Sequence, residues 1–387
     1  MPNPESAARL FLRFLRFGAC AWGGPVAQIG MLKQELVDEE RWVTQEQFRR
    51  TLAVYQVLPG PEAHELCVWF GTLARGRLGG LLAGLGFMLP GLVLTLLLAW
   101  CYTAIAQWPP AVLAAFAGMQ AAVIALIVRA THRIASHALP ERRLVVIAVA
   151  SALGTLFGVH FAISLAGAGL LWAARRRAFA VLVAIAWLVA AGFAIASGGL
   201  HGEFVDPHAV AGPAPSVSVL LVTGLRAGLL TFGGAYTALP FLQNDAVGAQ
   251  GWMTAQQFLD GVALTGVLPA PLVIVGTFVG WFGGAFAGAI AVTLGIFAPA
   301  FGFTLIGHSF FEHLVAKPGV HRLLDGITAG VVGLIAAAAI QFAPAAADSL
   351  PRALIALAAL VALYRLRRRW AVPAVVGAAA ALGALLC

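Results

Sequence analysis

Two short glycine and proline patterns occur twice in this chain at one fixed separation. Trp22-Gly23-Gly24-Pro25 is followed by Leu58-Pro59-Gly60-Pro61, and Phe232-Gly233-Gly234-Ala235 is followed by Leu268-Pro269-Ala270-Pro271. An offset of 210 residues relates the two sets without a gap. The same offset matches Arg16 with Arg226, Gly18 with Gly228, Trp42 with Trp252, Thr44 with Thr254, and Gln47-Phe48 with Gln257-Phe258. A match of this length marks an internal duplication. What the copies share is mostly Gly, Pro and Trp, so backbone geometry is the property being kept.

The solvent for that geometry is lipid. Of 387 residues, 61% are hydrophobic and only 10% are charged, against about 25% charged in a soluble domain. Apolar runs at 79–101, 111–128 and 178–196 approach or exceed the roughly 20 residues that span a bilayer. The chain reads as an all-α polytopic membrane protein. Its net charge of +8 is concentrated in arginine clusters at 129–143, 175–177 and 365–369, each flanking an apolar run. They read as cytoplasmic anchors and not as a nucleic-acid surface. Cys20, Cys67, Cys101 and Cys387 have no paired spacing and read as small buried hydrophobes, not as disulfides or a metal site. The N-terminus, with arginines inside its apolar stretch, reads as mature protein and not as a signal peptide.

Taken in order, the first copy begins with an amphipathic helix from Ser6 to about Ala21. Gly23-Gly24 break it, and Pro25 starts a second helix reaching about Val37. Thr44 with Gln47 makes a capping start for a third, running to Val57. Pro59-Gly60-Pro61 end that one and start a fourth, which closes at 71–77. Four half-length helices in two hairpins predict two re-entrant loops with tips at mid-membrane, where protein or a wet cavity must satisfy the loose backbone. Two long kinked crossings are the alternative. The hairpins put Lys33, Arg41, Arg49, Arg50, Arg75 and Arg77 on the same side as the N-terminus. Five crossings follow, at 79–107, 111–136, 143–159, 160–174 and 178–198. An odd number of crossings inverts the second copy, and the charge bias of three pairs of equivalent loops swaps sides accordingly. The expected architecture is two inverted-topology repeats, 1–208 and 209–387, joined outside by a linker at 198–216. The second repeat has hairpins at 217–247 and 254–283 and then about four crossings.

Inverted repeats with broken helices hold substrate near the midplane. Helices beginning at Pro25, Pro61, Ala235 and Pro271 aim free N–H groups and positive dipole ends at the tips, which suits an anion. The binding candidates of the first copy are Arg16, Trp22, Gly23, Gly24, Pro25, Gln28, Pro59, Gly60 and Pro61. Those of the second are Arg226, Phe232, Gly233, Gly234, Tyr236, Pro269 and Pro271. Thr231, Thr237 and Thr265 are further neutral donors. Snorkelling to the interface is the competing reading of Arg16 and Arg226. Glu62, His64 and Glu65 follow the first Pro-Gly-Pro, where the second copy has Leu272, Ile274 and Val275. Carboxylates at membrane depth are costly, which makes these three candidates for proton coupling; helix capping by Glu62 competes. His160, His208 and His308 read as loop or packing residues. No cofactor or metal is expected, and the absence of a nucleotide-binding loop argues against direct ATP drive.

The motifs Trp-Gly-Gly-Pro, Leu-Pro-Gly-Pro with its following Glu62, Thr-Phe-Gly-Gly-Ala-Tyr-Thr-Ala-Leu-Pro at 231–240 and Pro-Ala-Pro at 269–271 resemble the chromate ion transporter family in its long, two-domain form. The resemblance covers essentially the whole chain. It implies export of chromate from the bacterial cytoplasm with resulting resistance, and an inner-membrane protein with its N-terminus inside. Trp22 stands where the family commonly has Phe, and the second copy reads Gly-Gly-Ala and Pro-Ala-Pro, which implies unequal roles for the copies. The expected partners are the oxyanion and the bilayer, with no nucleic acid; a homodimer is left open. Sulfate, a tetrahedral dianion of similar size, is the alternative substrate. A membrane-embedded lipid-diphosphate phosphatase is the alternative of another class, but its nucleophile and base set is not matched by tips nearly free of serine. A channel is a third reading.

Overall fold

Ser6 accepts the Arg9 N–H at 3.3 Å and opens α1 (Ala7–Ala19), which buries Leu10, Phe14 and Phe17 on one face. A computed structural model describes residues 6–105, 108–174, 176–196, 212–232, 235–249, 251–307, 310, 313–314, 317–366 and 370–387. After Gly23, α2 (Gly24–Leu32) begins with Pro25 in its first turn and runs into a π-helical stretch, Lys33–Glu39. Thr44 caps α3 (Gln45–Tyr55) by accepting the Gln47 N–H at 3.1 Å.

Next comes α4 (Glu62–Ala104), which is two arms and not one rod. Arg75 (φ −146°) and Gly76 (φ 60°) leave helical geometry, and the chain doubles back on itself. Gly71 lies backbone to backbone against Gly79, and Val68 meets Gly80 and Gly84. Then follow α5 (Pro110–Ala138), α6 (Arg142–Leu156), α7 (Phe161–Ala173) and α8 (Arg177–Ala196). The second copy has α9 (Val217–Leu229), a 3-10 turn (Ala235–Ala238), α10 (Leu239–Gln243), a π-helical stretch (Asn244–Ala249) and α11 (Ala255–Val267). The Thr254–Gln257 capping box of α11 is reciprocal. A 3-10 turn (Leu272–Ile274) leads into α12 (Val275–Leu305), and α13 (Pro318–Ala346), α14 (Leu350–Arg365) and α15 (Ala371–Leu386) complete the chain.

The duplication extends to irregularities. Both π-helical stretches fall at the same place in their copies. α12 breaks at Gly284–Ala285 as α4 breaks at Arg75–Gly76, with Gly280 on Gly288 repeating Gly71 on Gly79. Pro90 lies inside α4 and Pro299 inside α12, and α5 and α13 each have 29 residues. Among the described residues α8 has no counterpart.

Glycine sets the helix crossings. A Cβ on Gly18 would collide with the Phe87 carbonyl, and one on Gly228 with the Ile296 carbonyl, so α1 rests on α4 as α9 rests on α12. Small residues at such contacts are how helices associate where lipid removes the hydrophobic drive between them. The copies are also interleaved. α5 packs on α15 through Gly118 against Ala379 and Gly383, and α13 packs on α6 and α7 through Gly333 on Ala148 and Gly326 on Ala168. Outward faces are apolar: Leu182, Leu188, Val189 and Phe193 of α8 are all exposed, as a lipid-facing helix requires.

Two differences from the sequence-based expectations concern helix length and helix type. α6 and α7 have 15 and 13 residues, roughly 22 and 20 Å, short of the ~30 Å hydrocarbon core. Among the described residues, the helices long and apolar enough to cross alone are Glu62–Ala104, Pro110–Ala138, Leu272–Leu305 and Pro318–Pro344. The second copy also starts its post-tip helices as 3-10 turns, at Ala235 and Leu272, where α-helical starts were expected. Most of the expected linker, 197–211, lies outside the described residues.

Candidate functional site

The Gly/Pro tips are brought together, and each pairs with a tip of the other copy. Gly60 N–H donates to the Thr231 carbonyl at 2.8 Å, and the Trp22 indole N–H donates to the Val267 carbonyl at 3.1 Å. So the Pro-Gly-Pro tip of the first copy meets the Gly-Gly tip of the second, and the reverse. Each Pro tip also sits one residue past the internal proline of the other copy's long helix. A Cβ on Gly60 would lie 3.5 Å from Ala300, and a Cβ on Gly91 would lie 2.6 Å from the Ala270 methyl. Gly233 and Gly234 lie outside the described residues.

The local backbone explains the glycines. Gly23 (φ 91°) and Gly24 (φ 74°) occupy left-handed conformations, which cost an L-residue with a side chain about 1–2 kcal/mol. No atom lies within 4 Å of where a Gly24 Cβ would stand; the space there is open to a ligand. Trp22 packs against Trp370 with centroids 4.6 Å apart and the rings tilted by 35°. Gln28 is buried and donates to the Ala21 carbonyl at 2.9 Å, leaving its own Oε1 without a partner. Thr231 and Thr265 spend their hydroxyl protons on the Ala227 and Gly261 carbonyls of their own helices. Phe232 is buried and Tyr236 half-buried.

Pro61 is the N-cap residue of α4. The His64 and Glu65 amides bond back to the Pro61 carbonyl at 2.8 and 3.1 Å, which leaves the Glu62 and Ala63 N–H groups without helical partners. Glu62, His64 and Glu65 are all buried. Both carboxylate oxygens of Glu65 and both ring nitrogens of His64 lack hydrogen-bond partners among the described residues. The His64 ring lies between Phe297 (4.8 Å) and Phe301 (4.7 Å) of α12, and Glu65 Oε1 lies 2.9 Å from where a Gly60 Cβ would be. Such groups are expensive in a dry interior, so three polar side chains within the first turn behind one tip mark it as specialised.

Arg16 and Arg226 are held in equivalent ion pairs. Arg16 binds Glu35, and Arg226 Nη1 lies 3.3 Å from Asp245 Oδ1; the 210-residue offset carries one pair onto the other. Arg13 joins the first pair, 3.3 Å from Glu35. Arg226 also lies over the Phe161 ring at 5.0 Å. Each pair ties the helix before a Gly-Gly tip to the π-helical stretch after it. His160 caps α7, accepting the Ala162 N–H at 3.3 Å; His208 and His308 lie outside the described residues.

Three residues not singled out from the sequence matter here, two arginines close to the tips and one acid further back on α11. Arg129 and Arg133, which in sequence open the arginine cluster at 129–143, lie one turn apart on α5 itself. The Arg133 charge reaches the Glu62 carboxylate, and both charges reach the Tyr236 hydroxyl. Neither guanidinium has a hydrogen-bond or ion-pair partner among the described residues. Asp260 on α11 is buried, 5% exposed. The signal available in the sequence was the i,i+4 arginine pair at the end of an apolar run, and a lone acid in an apolar helix.

The chain matches the family model described as chromate transporter over residues 8–200 and again over 218–384. It is 51% identical over 393 aligned positions to a chromate transport protein of Pseudomonas aeruginosa, covering 100% of this chain and 94% of the relative. It is 29% identical to a probable chromate transport protein of Synechococcus elongatus, covering 98% and 95%, and 28% identical to a chromate transport protein of Cupriavidus metallidurans, covering 97% and 92%. No solved structure matches the chain. With its long apolar helices and a family match in both copies, the chain is a multi-pass membrane protein of the chromate transporter family.

Proposed function

We propose that this protein is a secondary transporter that exports chromate across the bacterial inner membrane and so confers chromate resistance, acting by translocation and not as an enzyme. The observation that carries the reading is the cross-copy pairing of the tips, Gly60 with Thr231 and Trp22 with Val267. In a transporter of two inverted repeats, one spanning 1–208 and the other 209–387, broken helices meet in this manner around a midplane site. The N-terminus and the loops around Pro140 and Leu366 lie in the cytoplasm in this arrangement, following their arginines.

The anion sits where the free N–H groups of α2 and α4 face the open space beside Gly24. Arg129 and Arg133 supply cationic charge, Tyr236 and Trp22 line the site, and Pro25, Pro59, Pro61, Pro269 and Pro271 fix the tips. Arg16 and Arg226 act one step removed, through their ion pairs, which set the angle of each Gly-Gly hairpin. A membrane potential near 100 mV, inside negative, is worth about 2.3 kcal/mol per charge, and so favours outward movement of a dianion without another energy source.

Sulfate shares the charge and tetrahedral shape, and N–H donors together with arginines accept either anion. The test is chromate flux into proteoliposomes of the purified protein under an imposed potential, with sulfate as competitor. Potential-driven chromate uptake supports the reading, and uptake equal to protein-free vesicles removes it. Complete inhibition by equimolar sulfate assigns the broader oxyanion substrate class.

A further inference from the structure

Asp260, Tyr102 and Gln120 form a buried polar cluster away from the tips and their carboxylates. The Tyr102 hydroxyl donates to Asp260 Oδ2 at 2.7 Å and Gln120 Nε2 donates to Asp260 Oδ1 at 2.8 Å. Three helices, α4, α5 and α11, are thereby joined across the two copies. The surroundings are apolar: Phe278 and Phe282 of α12 and Phe116 of α5 pack on the Tyr102 ring, and Phe342 of α13 stacks on Phe258 of α11. α12 and α15 carry no ionisable residue. The titratable group facing Asp260 from its neighbours is Tyr102, and no cation accompanies it among the described residues.

An ionised carboxylate at membrane depth is normally paired with a cation or marks an ion or proton path. Here two neutral groups hold it, and both can serve either protonation state. A protonated carboxyl must donate its O–H; the Tyr102 hydroxyl can rotate to accept it, and Gln120 can turn its amide to offer Oε1. Each oxygen of Asp260 therefore keeps a hydrogen-bond partner with or without the proton. The acid is not inherited from the repeat, because the equivalent residue of the first copy is Arg50, exposed. Asp260 lies about two turns, roughly 10 Å, before Val267, where the Trp22 indole N–H docks.

We propose that Asp260 takes up and releases a proton during the transport cycle, coupling anion movement to a pH gradient through α11 and the tip it carries; this rests on the transport reading above. The proton passes between water and a carboxylate oxygen; that oxygen then donates to whichever of Tyr102 or Gln120 faces it, while the other oxygen goes on accepting from the second. Losing the charge loosens the grip of α4 and α5 on α11, which frees the tip to move.

Proteoliposomes holding parent, Asp260→Asn or Tyr102→Phe protein decide it with two readouts. One is chromate exchange at equal pH. The other is chromate uptake driven by a pH gradient with the potential clamped by valinomycin and potassium. Asp260→Asn retains measurable exchange and loses at least tenfold of the gradient-driven uptake. Tyr102→Phe keeps the ring packing but removes one donor to the ionised form, so the midpoint of the pH profile moves to higher pH. A parental gradient response in Asp260→Asn, or a parental midpoint in Tyr102→Phe, overturns the proposal. If Asp260→Asn fails to reach the membrane, the Tyr102→Phe midpoint decides alone. Parent protein that exchanges chromate but ignores the gradient overturns this inference only; parent protein without exchange overturns the transport reading.

Discussion

The Gly60 amide donates to the Thr231 carbonyl at 2.8 Å, tying the Pro-Gly-Pro tip of one copy to the strand of backbone entering the Gly-Gly tip of the other. The equivalent N–H in the second copy, that of Ala270, bonds instead to Leu268 of its own tip at 2.9 Å. The two tips are therefore unequal. A methyl at Gly60 meets the Glu65 carboxylate at 2.9 Å, on a backbone at φ 150°, and Glu65 is fully buried. Gly60→Ala is expected to lower chromate flux at least tenfold, about 1.4 kcal/mol of barrier, with protein still in the membrane. Ala270→Gly is expected to cost less than twofold. Equal losses in the two variants mean the cross-copy bond has no special place.

Gly24 separates backbone from bulk. Its Cβ position is open, so a side chain there meets no atom, yet φ is 74°. Asn tolerates the left-handed region better than a β-branched residue. Flux should fall in the order parent, Gly24→Asn, Gly24→Val, with the Val variant near background. Equal loss in Asn and Val assigns the effect to blocked ligand approach and not to the turn.

The two arginine pairs differ in exposure. Asp245 is 3% exposed, whereas the Arg16 side chain is 59% exposed. Removing one partner of a buried pair strands a charge, while an exposed pair contributes at most about 1 kcal/mol. Arg226→Ala is expected to lower stability in detergent by about 2 kcal/mol, and Arg16→Ala by under about 1. Neither is expected to change the half-saturation for chromate, whereas Arg133→Ala raises it severalfold. A raised half-saturation in Arg16→Ala and Arg226→Ala would place those two guanidinium groups at the anion.

Glu62 competes with substrate for the same positive charge. Ionised, it draws on Arg133 and on the free N–H groups of the first turn of α4; protonated, it leaves them to the anion. Chromate binding by the parent should therefore tighten as pH falls from 8 to 5.5, which links proton and anion binding. Glu62→Gln should bind tightly throughout with a nearly flat profile, and Glu65→Gln should change the profile less. Parallel curves for Glu62→Gln and parent remove Glu62 from the mechanism and leave it a helix-terminal residue.

Much of the fold was legible because breaks in lipid need Gly or Pro and those residues are visible. The 23–25 and 59–61 breaks, the turn near 75–76 and the crossing at 111–136 all stand close to their expected places. The π-helical stretches were not legible, since 33–39 and 244–249 carry no composition that separates them from an ordinary helix end. Nor were the 3-10 starts at Ala235 and Leu272, where the second copy lacks the Pro25 and Glu62 of the first. At the candidate site, residues close in sequence to a motif can be read from it and distant ones cannot. Arg129 and Arg133 looked like an anchor because sequence shows charge but not what faces it. Arg16 and Arg226 read as binding or snorkelling residues because their acids, Glu35 and Asp245, lie 19 residues on in each copy.

The inverted arrangement of the two copies is the claim on which the midplane site depends, and side-specific labelling tests it most directly. Single cysteines at Pro140, Ser349 and Leu366, in a background lacking the native four, are treated with a membrane-impermeant maleimide in intact and in inverted vesicles. Pro140 and Leu366 should label from the cytoplasmic side and Ser349 from the outside, although Pro140 and Ser349 follow equivalent helices, α5 and α13. Labelling of Pro140 and Ser349 from the same side would contradict the inverted repeat and, with it, the convergence of opposed tips on one anion.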